Sequence, residues 1–244
     1  MRSVVCEIGA AILVAVGVLA GCSKGESFPG PSMPPATDNV GPEKSYTAIV
    51  TVKQNEKGAI YFQLDENKRL FPQNYEHPFT GLRRVICELQ ETDGNRCRIL
   101  WMEFLEQEIM TSGMISGPDS APYDDPPPGG PYDFPQDPLD ILEDWMTSVE
   151  DGFLTLHYST WWGDGSVAHA FLLIRGTNPE DPYEVVLSHD RKSDASLEKA
   201  DALICFDIND LPSTEGQYVN LRLKWIDCEG KPAAKNFPFK SRTQ

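Results

Sequence analysis

A stretch of thirteen residues, STWWGDGSVAHAF from Ser159 to Phe171, holds the side chains with the clearest potential for chemistry. Asp164, Ser166 and His169 have the residue types of a hydrolytic triad. A triad needs its serine on a sharp elbow and its histidine oriented by a third group. On a strand, Ser166 and His169 would face opposite sides, because side chains alternate. We therefore predict no catalytic residue and no enzymatic activity.

Two tryptophans in the same stretch suggest a different site. Trp161 and Trp162, beside Asp164, could offer a ring face and a hydrogen-bond acceptor to a sugar. The alternative is structural: Gly163-Asp164-Gly165 forms a hairpin turn, one indole fills a sheet edge and the other is half exposed. Separately, we predict that Trp225 belongs to the core and that Trp162 does not, with at least part of the Trp162 ring meeting solvent. Both interpretations stay open, and we favour the structural one.

Histidines and cysteines give no metal site by spacing. His157, His169 and His189 are isolated in the sequence, and no Cys-x-x-Cys motif accompanies them. We expect no metal and no cofactor. Four cysteines remain for the folded part of an exported protein, where disulfides can form. Proximity in sequence suggests two pairs, with free buried thiols as the alternative: Cys87 with Cys97, and Cys205 with Cys228.

The N-terminus has the pattern of an exported, lipid-anchored protein. The apolar run from Ile8 to Ala20 is too short to remain as a spanning helix and is typical of a signal peptide. It closes in Leu19-Ala20-Gly21-Cys22, a bacterial lipobox. We predict a signal peptide over residues 1–21 and a lipidated Cys22 that holds the protein to a membrane. The expected location is the cell envelope, at the outer membrane of a Gram-negative bacterium.

Charge excludes one class of partner. The chain has 21 basic and 37 acidic residues, a formal net charge of −16. Such an acidic body repels phosphates, so we expect no nucleic-acid partner.

Two proline-rich segments divide the chain. Residues 22–45 read as a flexible tether, and residues 116–139, rich in proline and aspartate, as an interdomain linker. Within the linker, Asp119-Ser120-Ala121 resembles a bacterial O-glycosylation acceptor, which makes Ser120 a candidate for modification.

Strand patterns on either side of the linker predict an all-β protein. Residues 46–115 contain short β-rich runs without a strong amphipathic helix, which suits an OB-like small β-barrel. A generic small β-sandwich is the alternative for this part. Residues 140–244 alternate more regularly, as in VNLRLKW, and predict an antiparallel β-sandwich.

Several of these segments together resemble the NigD-like lipoproteins of Bacteroidota. The resemblance lies in the lipobox, in YTAIVTVKQNEKGAIYFQLDENKRLFPQ and GLRRVICELQ, and in DGFLTLHYSTWWGDGSVAHAFLLIRG, EVVLSHDRKSDA and ALICFDINDL. It implies an OB-like domain before a β-sandwich, and a role in bacteriocin immunity or as an accessory protein. No catalytic residues follow from it. We expect a non-catalytic protein that binds another protein or an envelope component, with a glycan-binding accessory protein as the alternative.

Overall fold

The computed structural model describes residues 45–75, 81–112, 134–163 and 165–242. All regular secondary structure in these ranges is β, which confirms the predicted fold class. In the described part of the chain, no helix is long and apolar enough to cross a membrane. The chain divides between Leu105 and Glu106 into two compact units.

The first unit is a closed barrel of five strands. Its order is β1-β2-β3-β5-β4, with β4 returning to pair with β1. Alternate residues of each strand point inward, and Val50, Phe62, Leu70 and Leu89 fill the interior. The OB-like barrel predicted from the sequence is therefore confirmed. The strands are β1 (Ser45–Gln54), β2 (Ile60–Gln63), β3 (Arg69–Pro72), β4 (Arg83–Glu91) and β5 (Arg96–Phe104).

The second unit contains nine strands in two layers, with one strand shared between them. One layer runs β14-β13-β11-β10 and the other runs β12-β9-β7, with β8 also pairing with β9. The strands are β6 (Gln107–Ser112), β7 (Asp140–Ile141), β8 (Ser148–Glu150), β9 (Phe153–Trp162), β10 (Ala170–Arg175), β11 (Glu184–Asp190), β12 (Glu198–Asp207), β13 (Val219–Ile226) and β14 (Pro232–Phe239).

Strand β6 joins the two layers. Its first half, Gln107 to Ile109, pairs with β12, and its second half, Met110 to Ser112, pairs with β10. The sequence placed residues 46–115 in the first domain, but β6 forms its ladders in the second. The boundary is corrected to Leu105, because the hydrogen bonds of β6 are made entirely with sandwich strands.

The core of the second unit lies between these layers. Leu154, Leu156 and Tyr158 of β9 are buried on one side, as their alternation predicted, and Leu221 and Leu223 of β13 are buried on the other. Polar residues of the same strands alternate outward. The predicted β-sandwich is confirmed.

The last residues of the predicted linker are part of this unit. Asp137 N–H donates to the His189 carbonyl at 2.8 Å, and Ser188 Oγ donates to the Pro135 carbonyl at 2.7 Å. Leu139 is buried in the core. The linker boundary at residue 139 is therefore wrong: the segment from 134 onward binds β11, because its backbone groups find partners there.

Candidate functional site

The stretch between β9 and β10 connects the two layers and is not a hairpin. Strand β9 pairs with β12, β7 and β8, whereas β10 pairs with β11 and β6. The predicted hairpin at Gly163 to Gly165 is therefore wrong. Its glycines instead let the chain pass close to the loop after β11, and this passage brings together a buried polar cluster.

Asp194 is the anchor of that cluster. Its Oδ2 accepts the Gly163 N–H at 2.6 Å, and its Oδ1 accepts the Ala195 N–H at 2.9 Å. A Cβ on Gly163 would lie 2.1 Å from Asp194 Oδ1, so any other residue there would require Asp194 or the connection to move. The bond from Gly163, with further help from His169, holds the pKa of Asp194 below its ordinary value.

The loop that presents Asp194 is strained. Asp194 N–H donates to the Arg191 carbonyl across a turn whose central residues, Lys192 and Ser193, have φ of 50° and 62°. Residues other than glycine, asparagine and aspartate rarely adopt φ values in this left-handed region. Arg191 stabilises the turn by donating to the Asp194 carbonyl and to Ser196 Oγ, both at 2.7 Å. Strain of this kind persists only where the surroundings hold it in place.

Two histidines extend from Asp194 into the protein. His169 Nε2 lies 3.2 Å from Asp194 Oδ2, and His169 Nδ1 lies 3.0 Å from His189 Nε2. His189 Nδ1 in turn lies 3.1 Å from the Asp137 carbonyl oxygen. The side chain of His169 is fully buried, and His189 is 1% exposed. We call Asp194, His169 and His189 the histidine relay.

The histidine relay is one proton short at neutral pH. Both of its ends, the Asp194 carboxylate and the Asp137 carbonyl, only accept, so its three contacts need three N–H groups. Two neutral imidazoles carry two. Burial lowers the pKa of His189 to about 4 and lowers that of His169 as well, against the opposing effect of Asp194. One contact therefore lacks a proton until the pair is protonated.

Aromatic rings enclose the relay. The Trp162 indole stacks on the His169 ring with centroids 4.1 Å apart and planes 8° from parallel. Phe171 stacks on His189 in the same way, at 4.7 Å and 9°. Trp162 Nε1 also donates to the Ala200 carbonyl at 3.3 Å. The Trp162 ring therefore packs against the relay and has a structural role there.

A second histidine cluster lies on the outer side of the β9 layer. His157 Nδ1 is 2.6 Å from Asp144 Oδ2, and His157 Nε2 is 2.8 Å from Asp201 Oδ2. The imidazole is nearly buried, whereas each carboxylate is about one-third exposed. Both ring nitrogens of His157 are therefore directed at carboxylate oxygens, which accept hydrogen bonds. The cluster links the β7–β8 connection to β9 and β12.

Exposed apolar side chains lie on the same outer face. Trp161 is 41% exposed, and the adjacent strand brings Lys199 opposite it. Leu197, 69% exposed, lies directly before β12, and its N–H donates to the Trp162 carbonyl at 2.9 Å, which keeps it beside the end of β9. Lys199 Nζ donates to Asp140 Oδ2 at 2.7 Å. We call Trp161, Leu197, Lys199 and Asp140 the outer β9/β12 face.

The two tryptophans predicted as a sugar platform do not share one face. Trp161 and Trp162 are consecutive on β9, so Trp161 faces outward and Trp162 faces the core. The remaining predicted member, Asp164, lies outside the described residues, as do the lipidation candidate Cys22 and the glycosylation candidate Ser120. Trp225 packs against the core but is only half-buried, as is Trp162, so the predicted contrast between them is wrong.

The four cysteines in the described ranges are not paired. Cys205 lies opposite Thr155 on β9, and Cys228 Sγ lies 3.9 Å from the Ser159 carbonyl. Four residues along one strand separate these positions by about 13 Å, whereas a disulfide bond is about 2 Å long. The predicted pairing of these two thiols is therefore wrong. All four candidates are free in the structure: Cys87, Cys97, Cys205 and Cys228.

Hydrolytic chemistry finds no support in this geometry. Both His169 nitrogens face Asp194 and His189, so neither is directed at Ser166, which is exposed. Within the ranges that the structure describes, no three His, Cys, Asp or Glu side chains are grouped to hold a metal ion.

Sequence reasoning missed Asp194 and the contact between the two histidines. The available signal was strand parity. His189 follows Val185 and Leu187 at intervals of two residues, and His169 precedes Phe171 by two, so in a strand each histidine would share a face with buried apolar residues. The spacing therefore indicates that both histidines face inward.

Comparison with known proteins gives one family match. Residues 131–239 match the family described as NigD-like C-terminal beta sandwich domain. No curated protein sequence matches the chain significantly.

Solved structures share the fold across most of the chain. A toxin-related protein from Parabacteroides distasonis is 21% identical, with a TM-score of 0.64, over 81% of this chain and 94% of its own. A NigD-like immunity protein from Bacteroides caccae is 19% identical, with a TM-score of 0.53, over 80% and 97%. A protein described as a lipoprotein, from Bacteroides fragilis, is 10% identical, with a TM-score of 0.55, over 82% and 100%.

Proposed function

We propose that this chain, whose C-terminal domain belongs to the NigD-like β-sandwich family, is a lipid-anchored envelope protein that binds a cationic protein partner without catalysis. The family match confirms the resemblance predicted from the sequence. Two of the solved structures with this fold are described as an immunity protein and as a lipoprotein. The proposal extends such a role to this chain.

The observation that carries the binding role is the outer β9/β12 face. Trp161 on β9 and Leu197 just before β12 expose an aromatic and an aliphatic side chain, where burial by a partner would remove apolar surface from water. Lys199 and Asp140 flank them with a charged pair. An apolar centre with a polar rim is the usual anatomy of a protein interface.

Charge identifies the class of partner. From Glu106 onward the chain has 25 acidic and ten basic residues, whereas residues 45–105 have eight of each. The part of the chain from Glu106 onward, which contains the linker and the sandwich, therefore accounts for nearly all of the net charge of −16. Such a field accelerates the encounter with a positively charged protein and weakens with salt.

We propose that the protein is not catalytic because the ring nitrogens of its described histidines already contact other protein groups. The ring nitrogens of His157, His169 and His189 each face a carboxylate, a carbonyl or another imidazole. These contacts hold strands and loops together and leave none of these three histidines positioned as a general base toward a substrate.

Site-specific photocrosslinking tests the binding role. A photoreactive residue at Leu197 should capture a protein of basic isoelectric point in native envelopes, whereas one at Leu172, exposed on the other layer, should not. The purified partner should then bind the full chain more weakly in Leu197→Ser than in Leu172→Ser, and more weakly at high salt. Equal capture at both positions, or a salt-independent complex, would contradict the proposal. Binding of a neutral glycan that Trp161→Ala abolishes would favour the glycan-binding alternative.

Fractionation of cells tests the anchor separately. The lipobox predicts that the wild-type chain sediments with membranes and that Cys22→Ala releases it. Cys228→Ala is the matched control, since this thiol lies in the folded part and should leave sedimentation unchanged. Retention of Cys22→Ala on membranes would remove the lipid anchor from the proposal.

A further inference from the structure

Four neighbouring strands of the barrel carry a row of cationic and aromatic side chains on their outer side. Lys53 of β1 lies opposite Tyr61 of β2, and Phe71 of β3 lies beside Arg96 of β5. Tyr61 and Phe71 connect the two pairs, with ring centroids 6.0 Å apart. Arg69 of β3 completes the set, which we call the aromatic–cationic row.

The strand pattern makes this row face outward. Its members alternate with inward-facing side chains, including Val52, Phe62, Leu70 and Cys97, that are all at most 1% exposed. Phe71 is 37% exposed, an unusual position for a phenyl ring. Backbone bonds hold it there, because Phe71 N–H donates to the Asn95 carbonyl at 2.7 Å.

Arg69 is oriented before any ligand arrives. Its Nε donates to Gln63 Oε1 at 3.0 Å, and its guanidinium lies 5.3 Å from the centre of the Tyr61 ring. Stacking on the ring and one fixed bond restrict the side chain while leaving the outer edge of the fork directed away from Gln63. A preorganised guanidinium loses less entropy on binding a carboxylate.

Neither arginine of the row is neutralised. Among the described residues, no carboxylate forms an ion pair with Arg69 or with Arg96. The barrel segment 45–105 is neutral overall, in a chain whose other segments are acidic. The row is therefore a local cationic surface on a protein whose overall charge is −16.

We propose that the aromatic–cationic row binds an acidic oligosaccharide, such as one containing uronic acids. The exposed Phe71 ring supplies an apolar face for the C–H face of a pyranose ring, Tyr61 supports Phe71 and Arg69 from the side, and Arg69 and Arg96 bind the sugar carboxylates through charge-assisted hydrogen bonds. Strand geometry separates the Cα atoms of the two arginines by about 8 Å, with Phe71 beside both. An acidic glycan suits the row better than a nucleic acid, because pyranose rings offer C–H faces to the aromatic side chains and planar carboxylates match the guanidinium fork.

Calorimetric titration of the full-length chain in detergent with tetragalacturonate tests the proposal. We expect binding that weakens with salt, with no binding of the uncharged tetragalactose. Arg96→Gln and Phe71→Ala should each weaken binding about tenfold, which is the effect of one charge-assisted bond or one stacked ring. Two control variants at exposed barrel positions should bind as the wild type does: Lys57→Gln and Leu100→Ala.

Three results would overturn the proposal. These are the absence of tetragalacturonate binding in a folded wild-type chain, equal binding of tetragalactose, and unchanged affinity in both Arg96→Gln and Phe71→Ala. Tighter binding of oligothymidylate than of tetragalacturonate would reassign the row to single-stranded nucleic acid and would also overturn it. Thermal unfolding of each variant shows whether it is folded. Crosslinking at Leu197 concerns the other unit, so the two proposals fail independently.

Discussion

His169 Nδ1 and His189 Nε2 lie 3.0 Å apart in the buried space between the two layers of the sandwich, although the residues are twenty positions apart. Asp194 lies at one end of this pair and the Asp137 carbonyl at the other. The contact ties the β9–β10 connection to the strand β11 and to the loop after it. The stability of this end of the sandwich should therefore depend on the protonation of the relay and on the geometry around Asp194.

Stability should fall in mild acid because of the relay. Burial lowers the pKa of His189 from the ordinary 6.5 to about 4, and the pKa of His169 shifts in the same direction. The unfolded chain therefore binds more protons than the native chain between these values, so the free energy of unfolding decreases as pH falls through that window. His189 alone should contribute a loss of up to about 3 kcal/mol between pH 7 and pH 4.

Urea unfolding at several pH values measures this dependence, and His189→Gln is the comparison. The variant should be less stable than the wild type at pH 7. It should lose less stability between pH 7 and pH 4, because His189 no longer titrates and the remaining pH dependence of the free energy of unfolding comes from carboxylates. Parallel curves for the two proteins would show that the relay does not titrate in this range.

Gly163→Ala should destabilise the sandwich by about 1 to 3 kcal/mol. The added methyl would lie 2.1 Å from Asp194 Oδ1, so either the carboxylate or the connection must move. Displacing Asp194 also removes its bond from the Gly163 N–H. Ala168→Ser, an exposed change in the same connection, is the control. A melting temperature of Gly163→Ala equal to that of the control would show that the Asp194 loop can move without a loss of stability.

Ser193→Gly should stabilise the chain by about 0.5 to 1 kcal/mol. Ser193 has φ of 62°, where a Cβ is unfavourable and glycine is not, and this gain exceeds the entropy that glycine adds to the unfolded chain. Ser166→Gly, at a residue without positive φ, should be destabilising instead. A lower melting temperature for Ser193→Gly would mean that the serine makes a compensating interaction in the turn.

Trp225 should tolerate phenylalanine but not alanine. Its ring packs half-buried against the sandwich core, so alanine should cost about 2 to 3 kcal/mol, below the loss for a fully buried tryptophan. Its Nε1 is buried and has no hydrogen-bond partner in the described structure, so phenylalanine leaves no polar group unsatisfied and should cost about 1 kcal/mol. Trp161→Ala, on the exposed face, should be nearly neutral.

Chemical unfolding of the three tryptophan variants orders these effects. Acrylamide quenching of single-tryptophan chains gives an independent measure, with Trp161 expected to be more accessible than Trp225. Similar losses for Trp161→Ala and Trp225→Ala would place Trp161 in a packed environment and would weaken the outer β9/β12 face as a binding surface.

Much of the fold could be predicted because strand alternation and turn residues are local. Leu154, Leu156 and Tyr158 share the buried face that their spacing indicated. Gly94 takes φ of 67° in the reversal between β4 and β5, where Asp93-Gly94-Asn95 has the residue types of a tight turn. The site could be predicted only in part. Trp161 and Trp162 were grouped as neighbours in sequence, although consecutive strand positions face opposite sides.

The sequence by itself determined the lipobox pattern, the acidic charge, the all-β class and the order of barrel and sandwich, since each depends on composition or short periodicity. Tertiary structure alone decided which strands pair, and with them the layer change between β9 and β10 and the division of β6 between two layers. The same long-range pairing placed His169 against His189 and assembled Tyr61, Phe71 and Arg96 on one surface. Such contacts depend on which distant segments bury one another's apolar faces, and local residue preferences carry no record of that choice.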